Sequence, residues 1–286
     1  MNSPTFSVIF LTWNPGEKIL HSIESVRSQS YDDLEIVVVD NDSTDGTPDR
    51  LRSEFPDEDR LRIFENETNL GFANGIEVGM RESDGEYLCC YNHDTTFAEG
   101  YFETVADYVS EDAVWTTARE NHRVSKSTKC ARLNSPYGFS VPYDVDSLSG
   151  VAKVNYVPGD GVIIPRTIYE KTLNGIVFEE KFAPRCEDVN LALRLQDAGV
   201  DIYAILDTYS IHPDKADFYA PNIENFLTLL GTTRARVRTF RANGRPGRAI
   251  LAAFSLLTNP VLVYLRPVPR STAAFRNRAE LVSRHD

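Results

Sequence analysis

The sequence lacks an apolar run long enough to cross a membrane as a helix, which takes about 20 consecutive residues. The longest candidate, residues 249–265, is interrupted by a serine, a threonine, an asparagine and Pro260. No basic segment precedes the first apolar run, residues 6–11, and that run is too short for the apolar part of a signal peptide. We therefore expect a cytoplasmic protein without a spanning helix.

Positive charge and cysteine are also scarce. The chain has 30 Lys and Arg against 42 Asp and Glu, a formal net charge of -12. Because contacts to nucleic-acid phosphates need clustered basic side chains, we expect no nucleic-acid partner. The four cysteines include no C-x-x-C pair, so neither a zinc site nor a disulfide framework is indicated. Reduced thiols in a reducing compartment are expected.

The chain has the composition of a packed α/β protein. Of its 286 residues, 42% are hydrophobic, enough to bury the core of one large domain plus an extension. In the first ~110 residues, strand patterns alternate with helix patterns, as in βαβ units. Strands are predicted at 6–11, 34–39, 61–64, 86–91 and 201–206, and helices after Pro15 and at 48–55, 99–109 and 187–198. Residues 69–81 are predicted to be a loop that enters a helix.

Two regions depart from this alternation. Residues 120–155 have an irregular pattern that includes Pro136, Gly138, Pro142 and Gly150, which predicts a long loop of functional or mobile character. After about Pro221 arginines accumulate, and the apolar segment 249–265 follows. We predict a catalytic domain over 1–221 and a helical extension over 222–286. The extension is expected either to pack as an ordinary helix or to lie on the inner face of the cell membrane, with arginines near anionic head groups.

Carboxylates follow the predicted strands. Asp40, Asp42 and Asp94 all come at carboxyl ends of strands, where parallel sheets gather functional groups. Taken singly, each has a structural alternative as a turn or helix cap. An EF-hand is excluded for Asp40 to Leu51, because leucine occupies the twelfth position. Asp94 could hold a divalent cation against a diphosphate, since magnesium commonly binds carboxylates together with phosphate oxygens.

Further along, Glu187 and Asp188 begin a predicted amphipathic helix. Acids in a first turn favour the helix dipole, but one of them could also serve as a general base. His212, before Pro213, is either structural or a metal ligand.

In their order along the chain, these residues belong to blocks that resemble the family 2 glycosyltransferases, especially the rhamnosyltransferase-like bacterial and archaeal members. The resemblance covers about residues 5–215. The blocks are Val8-Ile-Phe-Leu-Thr-Trp-Asn14, Val37-Val-Val-Asp-Asn-Asp-Ser-Thr-Asp-Gly-Thr47, Asn69-Leu-Gly-Phe-Ala-Asn-Gly75, Tyr91-Asn-His-Asp-Thr95, Gly159-Asp-Gly161 through Arg166, Phe178 to Phe182, and Glu187-Asp-Val-Asn-Leu-Ala-Leu-Arg194.

The resemblance implies an α/β fold of the GT-A type, with a Rossmann-like nucleotide-binding half and an acceptor half around one mixed sheet, followed by a C-terminal helical extension. It implies inverting hexosyl or deoxyhexosyl transfer from a nucleotide-diphosphate sugar to a hydroxyl of a glycan or lipid-linked acceptor at the cell envelope. Asp188 would be the catalytic base with Glu187 beside it, and Asp94 and His212 would hold Mg²⁺ or Mn²⁺. The donor would contact Thr12, Asn14, Asp40, Asp42, Asn69, Gly71 and Asn92, and the acceptor side would include Gly159, Asp160 and Gly161.

Two positions depart from the family pattern. Asn92 stands where the first acid of the D-x-D motif is expected, which leaves one charge fewer for a metal. Asn190 replaces a later acid of the E-D-x-D block, which favours Asp188 as the base. These substitutions support an alternative, a catalytically inactive sugar-nucleotide-binding module. A sugar-nucleotide nucleotidyltransferase is a further alternative, but it would need a basic, glycine-rich loop where residues 12–16 have one glycine and no arginine.

Overall fold

The computed structural model describes residues 3–121, 128–135, 140–182, 186–213, 223–253 and 271–282. Within these ranges, twelve strands form one mixed sheet in the order β12-β9-β11-β6-β10-β4-β1-β2-β3, with β5 beside β11, and β7 joining β6 to β8. The strands are β1 (Phe6–Thr12), β2 (Leu34–Asp40), β3 (Leu61–Glu65), β4 (Tyr87–Asn92), β5 (Thr96–Phe97), β6 (Ala113–Asn121), β7 (Thr128–Asn134), β8 (Ser140–Asp144), β9 (Val151–Val154), β10 (Val162–Pro165), β11 (Asp201–Ile211) and β12 (Glu280–Val282).

Helices connect and cover these strands. They are α1 (Lys18–Arg27), α2 (Thr47–Glu54), α3 (Gly71–Glu82), α4 (Tyr101–Ala106), α5 (Arg166–Lys171), a 3₁₀ turn (Glu180–Phe182), α6 (Glu187–Asp197), α7 (Ile223–Ala242), α8, described over 246–253, and α9 (Thr272–Arg276).

The first four long strands form the parallel half of the sheet. β1 pairs in parallel with both β2 and β4, and β2 pairs in parallel with β3. Beyond β4 the sheet becomes mixed, because β10 runs antiparallel to both β4 and β6. This is the predicted α/β arrangement of a Rossmann-like half joined to a second half around one sheet.

The continuous apolar runs of β1 and β2 are explained by burial on both faces, as expected for parallel strands. Ile9 and Val39 belong to the core that includes residues of α3, α5 and α6, whereas Val8 and Phe10 belong to the core that includes residues of α1, α2 and α4. Helix α3 lies close to the sheet because Gly79 has no side chain; a Cβ there would lie 2.5 Å from Ile9 Cγ2.

Gly85 is a tighter constraint, and its replacement by alanine is expected to destabilise the fold by about 1–3 kcal/mol, the usual cost of overpacking. A Cβ on Gly85 would lie 2.7 Å from the backbone nitrogen of Ser7 and 2.5 Å from its Oγ. Gly247→Ala is the matched control, because no atom lies within 4 Å of its Cβ position. Within α8 that change should stabilise slightly. Equal thermal midpoints for the Gly85→Ala variant and the wild type would contradict the expectation.

The prediction for residues 120–155 was wrong. The described part of this region contains β7, β8 and β9, and β6 had no counterpart among the predicted strands. Pro142 lies within β8 opposite Arg132 of β7. Proline is tolerated there because, among the described residues, β8 pairs only with β7 and so offers an edge. Strands β7, β8 and β9 are only four to seven residues long, and strands that short give little local periodicity.

The C-terminal extension contains more than helices. After α9 the chain returns to the sheet, where β12 pairs antiparallel with β9. Residues 254–265 of the predicted apolar segment 249–265 lie outside the described residues. Its first residues form part of α8, with Ala249 and Ala252 buried against Phe240 and Tyr156. In the part of the chain that is described, no helix is both long and apolar enough to cross a membrane.

The four cysteines are free and buried.

Candidate active site

Two loops at the carboxyl ends of β1 and β2 are joined by side chains predicted to bind a donor. Thr12 Oγ1 donates to Asp40 Oδ1 over 3.0 Å, and Asp40 Oδ2 accepts from the Ser43 backbone over 2.9 Å. Asp40 is only 2% exposed, so its carboxylate orients the loop from within. Asn14 lies opposite, where its Oδ1 accepts from the Thr44 backbone over 2.8 Å. Asp42 is exposed, with a left-handed φ of 67°.

Asn41 is a structural centre that the sequence did not reveal. Its amide nitrogen donates to Asn69 Oδ1 over 2.8 Å, while its oxygen accepts from the Leu70 backbone over 2.9 Å. Asn69 in turn accepts from the Gly71 backbone. These bonds fix the start of α3 beside the loop after β2. They bring the predicted donor residues Asn69 and Gly71 to the same sheet edge as Asp40.

The predicted metal residues meet at the end of β4. His212 Nε2 lies 3.2 Å from Asp94 Oδ1 and 3.0 Å from the Asn92 amide nitrogen. Burial alone would raise the pKa of the Asp94 carboxyl, but the hydrogen bond and charge of His212 outweigh it and lower the pKa below its ordinary value. Asp94 is therefore held ionised, which suits a cation ligand.

His93, which lies between Asn92 and Asp94 in the sequence, has a different environment. Burial lowers the pKa of its imidazole below the ordinary value. Its backbone carbonyl accepts from Ser22 Oγ over 2.9 Å, tying the β4 end to α1. The contacts of His93 indicate a structural role.

Asp160 joins the group formed by Asn92, Asp94 and His212, although the sequence placed it on the acceptor side. Its Oδ1 accepts from the Asn92 backbone over 2.9 Å, and its Oδ2 lies 3.6 Å from His212 Nε2. Arg119 of β6 forms an ion pair with the Asp160 carboxylate. Burial by itself raises the pKa of Asp160, but the charges of Arg119 and His212 lower it overall.

Gly159 and Gly161, on either side of Asp160, are backbone features. The Cβ position of Gly159 faces the Phe178 ring at 3.5 Å. Gly161 has a φ of 102°, a conformation that side chains rarely adopt.

Asp188, the predicted catalytic base, lies in the first turn of α6. Its Oδ1 accepts from the Val189 backbone over 2.7 Å, and its Oδ2 accepts from the Tyr156 hydroxyl. Burial, followed by the charge of neighbouring Glu187, raises the pKa of Asp188 to about 6. Burial also raises the pKa of Tyr156 well above its ordinary value. The hydroxyl therefore stays protonated and remains a hydrogen-bond donor to the carboxylate. The sequence did not indicate Tyr156.

The segment before α6 is fixed by residues from two helices. Buried Glu77 of α3 accepts from the Val177 backbone over 2.5 Å, and Arg194 of α6 donates to the carbonyls of Val177 and Leu173 over 3.0 and 3.1 Å. The arginine that ends the predicted E-D-x-D block is therefore structural. Asn190 is 1% exposed, so its identity bears on packing and not on contact with a substrate.

The predicted site residues thus form two groups in the described structure. The first comprises the loops after β1 and β2, the start of α3, and the Asn92, Asp94, Asp160 and His212 side chains along one sheet edge. The second comprises Glu187, Asp188 and Tyr156. No hydrogen bond or ion pair between described residues links the second group to Asp94.

Among the described residues, no three His, Cys, Asp or Glu side chains have the arrangement of a complete metal site. The donors at the β4 end still fit a cation that is completed by its substrate. Asp94 contributes an ionised carboxylate and His212 an imidazole, and magnesium typically uses one or two carboxylates plus phosphate oxygens and water.

The sheet order and the loops at the strand ends define an α/β fold of the GT-A type. The model of "Glycosyl transferase family 2" matches residues 7–171, more than half of the chain. The chain belongs to glycosyl transferase family 2.

A curated relative supports the family assignment, and a solved structure supports the fold. EpsE of Bacillus subtilis (strain 168) is 34% identical over 233 residues, covering 76% of this chain and 77% of that protein. A GalNAc(5)-diNAcBac-PP-undecaprenol beta-1,3-glucosyltransferase of Campylobacter jejuni is 29% identical over 109 residues, 38% of this chain and 35% of that protein. The crystal structure of GalNAc-T7 with UDP, GalNAc and Mn²⁺ superposes with a TM-score of 0.68 at 12% identity, covering 84% of this chain and 48% of that one.

The chain spans less than half the length of the first curated relatives that it matches, between 36% and 45%.

Proposed function

We propose that this protein is an inverting glycosyltransferase that moves a sugar from a nucleotide-diphosphate donor to an acceptor hydroxyl. The observation that carries the proposal is the half-buried Asp188 carboxyl with its pKa raised to about 6. A base with this pKa is mainly ionised at neutral pH and can still accept a proton from an acceptor hydroxyl. Its place in the first turn of α6, in the block that resembles the E-D-x-D element of the family, supports this role.

The donor nucleotide is proposed to lie on the loops after β1 and β2. Exposed Asp42 and Asn14 can reach a base or ribose, whereas Asp40 and Thr12 shape the loop from below. The ordered start of α3, with Asn69 and Gly71, closes the same edge. GalNAc-T7, which shares the fold, was solved with UDP and Mn²⁺, and this supports a nucleotide-sugar donor here.

Asp94, with His212, is proposed to hold Mg²⁺ or Mn²⁺ against the donor diphosphate. The cation, when bound, neutralises charge that develops on the leaving diphosphate. Asn92 supplies an amide and not a second charge, so Asp94 is the carboxylate that carries the interaction. The Asp160–Arg119 pair keeps the β4 end in place.

In the reaction, the acceptor hydroxyl attacks the anomeric carbon from the side opposite the diphosphate. Asp188 removes the hydroxyl proton as the new glycosidic bond forms, and the bond to the diphosphate breaks. Tyr156 keeps the Asp188 carboxylate oriented during this transfer. Glu187 raises the basicity of Asp188 through its charge.

The test is a screen of UDP-, GDP- and dTDP-sugars, each with and without Mn²⁺, that measures both the thermal midpoint and the release of nucleoside diphosphate. The proposal expects one donor class to raise the midpoint and to be turned over. Binding without any release of nucleoside diphosphate, across acceptors and metals, would instead identify the inactive sugar-nucleotide-binding module.

Replacing Tyr156 with phenylalanine is expected to shift the acid limb of the pH profile of kcat/KM upward. The Tyr156 hydrogen bond lowers the Asp188 pKa against the effect of burial, so its loss should raise that pKa above about 6. Activity should therefore fall more at pH 6 than at pH 8. Tyr169→Phe, which removes a hydroxyl bonded to Glu77 at 3.2 Å, is the control. An unmoved acid limb in Tyr156→Phe would contradict the assignment.

We further propose a lipid-linked or cell-surface glycan acceptor, and a protein working at the inner face of the cell membrane. The Campylobacter relative is named for an undecaprenol-linked substrate. In α8, Ile250 and Leu251 are 58% and 41% exposed while Ala249 and Ala252 are buried, an amphipathic arrangement that suits a membrane surface. Absence of co-flotation of the full chain with anionic vesicles would oppose this location.

The division into a catalytic domain over 1–221 and an extension over 222–286 is retained as a proposal.

A further inference from the structure

Three arginines of α7 form one exposed row. Arg234, Arg238 and Arg241 are spaced by four and three residues, the spacing that places side chains on the same helix face. All three are exposed. Together with Thr233, Val237 and Ala253 they line a groove of about 410 Å³ between α7 and α8, which we name the arginine groove.

The arginine groove has no acidic partner in the described part of the chain. Some other arginines form ion pairs, as Arg245 does with Asp197 and Arg62 with Glu35. No ion pair is found for Arg234, Arg238 or Arg241 among the described residues, although the whole chain carries a net charge of -12. Like charges at these spacings repel one another, so an anion in the groove would relieve the repulsion.

The groove is bordered by apolar surface. Val237 and Ala253 line it, and the exposed Ile250 and Leu251 lie on α8, the same helix as Ala253. A ligand that fits both features carries phosphate charge at one end and hydrocarbon at the other. Arginine suits phosphate because its planar guanidinium can donate two parallel hydrogen bonds.

The groove also lies close to the residues that hydrogen-bond Asp188, the candidate base. Val237 packs against a cluster that contains Tyr156 and Val189, the two residues that hydrogen-bond the Asp188 carboxylate. The Arg238 guanidinium lies 6.0 Å from the centre of the Phe182 ring, just before α6. A phosphate in the groove would therefore lie on the α6 side of the molecule.

We propose that the arginine groove binds the phosphate group of a lipid-phosphate-linked acceptor, and so fixes where the acceptor glycan enters relative to Asp188. This rests on the proposed transferase function and gives its acceptor a chemical class. The phosphate accepts hydrogen bonds from Arg234, Arg238 and Arg241, while the first part of the hydrocarbon chain lies along Ile250 and Leu251.

Binding of farnesyl diphosphate to the full chain tests the proposal by calorimetry, in EDTA so that no cation bridges the ligand to Asp94. The groove variant carries Arg234→Gln, Arg238→Gln and Arg241→Gln. Its control carries Arg50→Gln, Arg81→Gln and Arg276→Gln, an equal change of charge elsewhere on the surface. We expect the groove variant to bind at least tenfold more weakly than the wild type, and the control variant to bind like the wild type.

Three results would overturn the proposal. The first is a wild type that does not bind farnesyl diphosphate. The second is equal weakening in both variants, which would indicate only general charge attraction. The third is unchanged farnesyl diphosphate binding in a groove variant that no longer binds phosphatidylglycerol vesicles, which would assign the arginines to bulk membrane lipid. Release of nucleoside diphosphate by the wild type tests the donor chemistry separately, so failure of the groove and failure of the transferase function are distinguishable.

Discussion

Asp188→Asn is expected to lower kcat by about 10²- to 10⁴-fold, the usual contribution of a positioned general base. Asparagine keeps the size of the side chain. Its oxygen can still accept from the Val189 backbone and its NH2 group can donate to the Tyr156 hydroxyl oxygen, but it cannot take a proton. Donor affinity and the thermal midpoint should change little, because the residues proposed to bind the nucleotide belong to the other group, which includes the loops after β1 and β2. The measurement is steady-state turnover together with donor binding.

Two controls belong with this variant. Asp197→Asn, at the other end of α6, removes a carboxylate that pairs with Arg245 and should leave turnover near the wild-type level. Glu187→Gln separates the two adjacent acids: loss of the Glu187 charge should lower the Asp188 pKa and move the acid limb downward, with activity retained at neutral pH. Near-wild-type turnover in Asp188→Asn with intact donor binding would remove Asp188 from the role of base.

Asp94→Asn is expected to reduce kcat on the order of 10²- to 10³-fold, the range for losing one preorganised electrostatic contact. Asn92 already provides an uncharged amide, so this change leaves the end of β4 without a charged ligand. The wild type should lose activity in EDTA and recover it with Mn²⁺ or Mg²⁺. The variant should need a higher metal concentration for half-maximal activity.

Asp84→Asn is the matched control for Asp94→Asn, because Asp84 is an exposed acid that pairs with Arg62 at 2.8 Å, away from the β4 end. It should have the metal dependence of the wild type. A wild type that is indifferent to EDTA, or an Asp94→Asn variant with an unchanged metal titration, would remove the cation from Asp94. Binding of Mn²⁺ and of the donor, measured directly by calorimetry, provides a readout independent of turnover.

The parallel half of the fold could be predicted from the sequence because its signals are local. The apolar runs at 6–11 and 34–39 are buried on both faces, and the period of Ile19, Ile23 and Val26 matches the buried face of α1. The second half could not be predicted in the same way. β7 and β8 pair with each other and β9 pairs with β11, so their order depends on distant partners and not on their own periodicity.

The same difference between local signals and long-range contacts decides which parts of the site could be predicted. Sequence order grouped Asp40, Asp42 and Asp94 correctly at one sheet edge, because parallel strands end together. It could not show that Asp160 turns toward His212, since that depends on Arg119 of β6, a strand without a predicted counterpart. Tyr156 was missed because its hydroxyl reaches Asp188 across 32 positions of sequence. The roles of the individual site residues stay predictions.

The strand at the end of the described chain has a consequence for shortened versions of this protein. β12 covers β9, and in the described sheet nothing else lies beside β9 on that flank. A version ending before residue 280 would present unpaired backbone amides and carbonyls along β9, which invites association between copies. Precipitation of such a version would then report an uncapped sheet and would say nothing about lipid affinity.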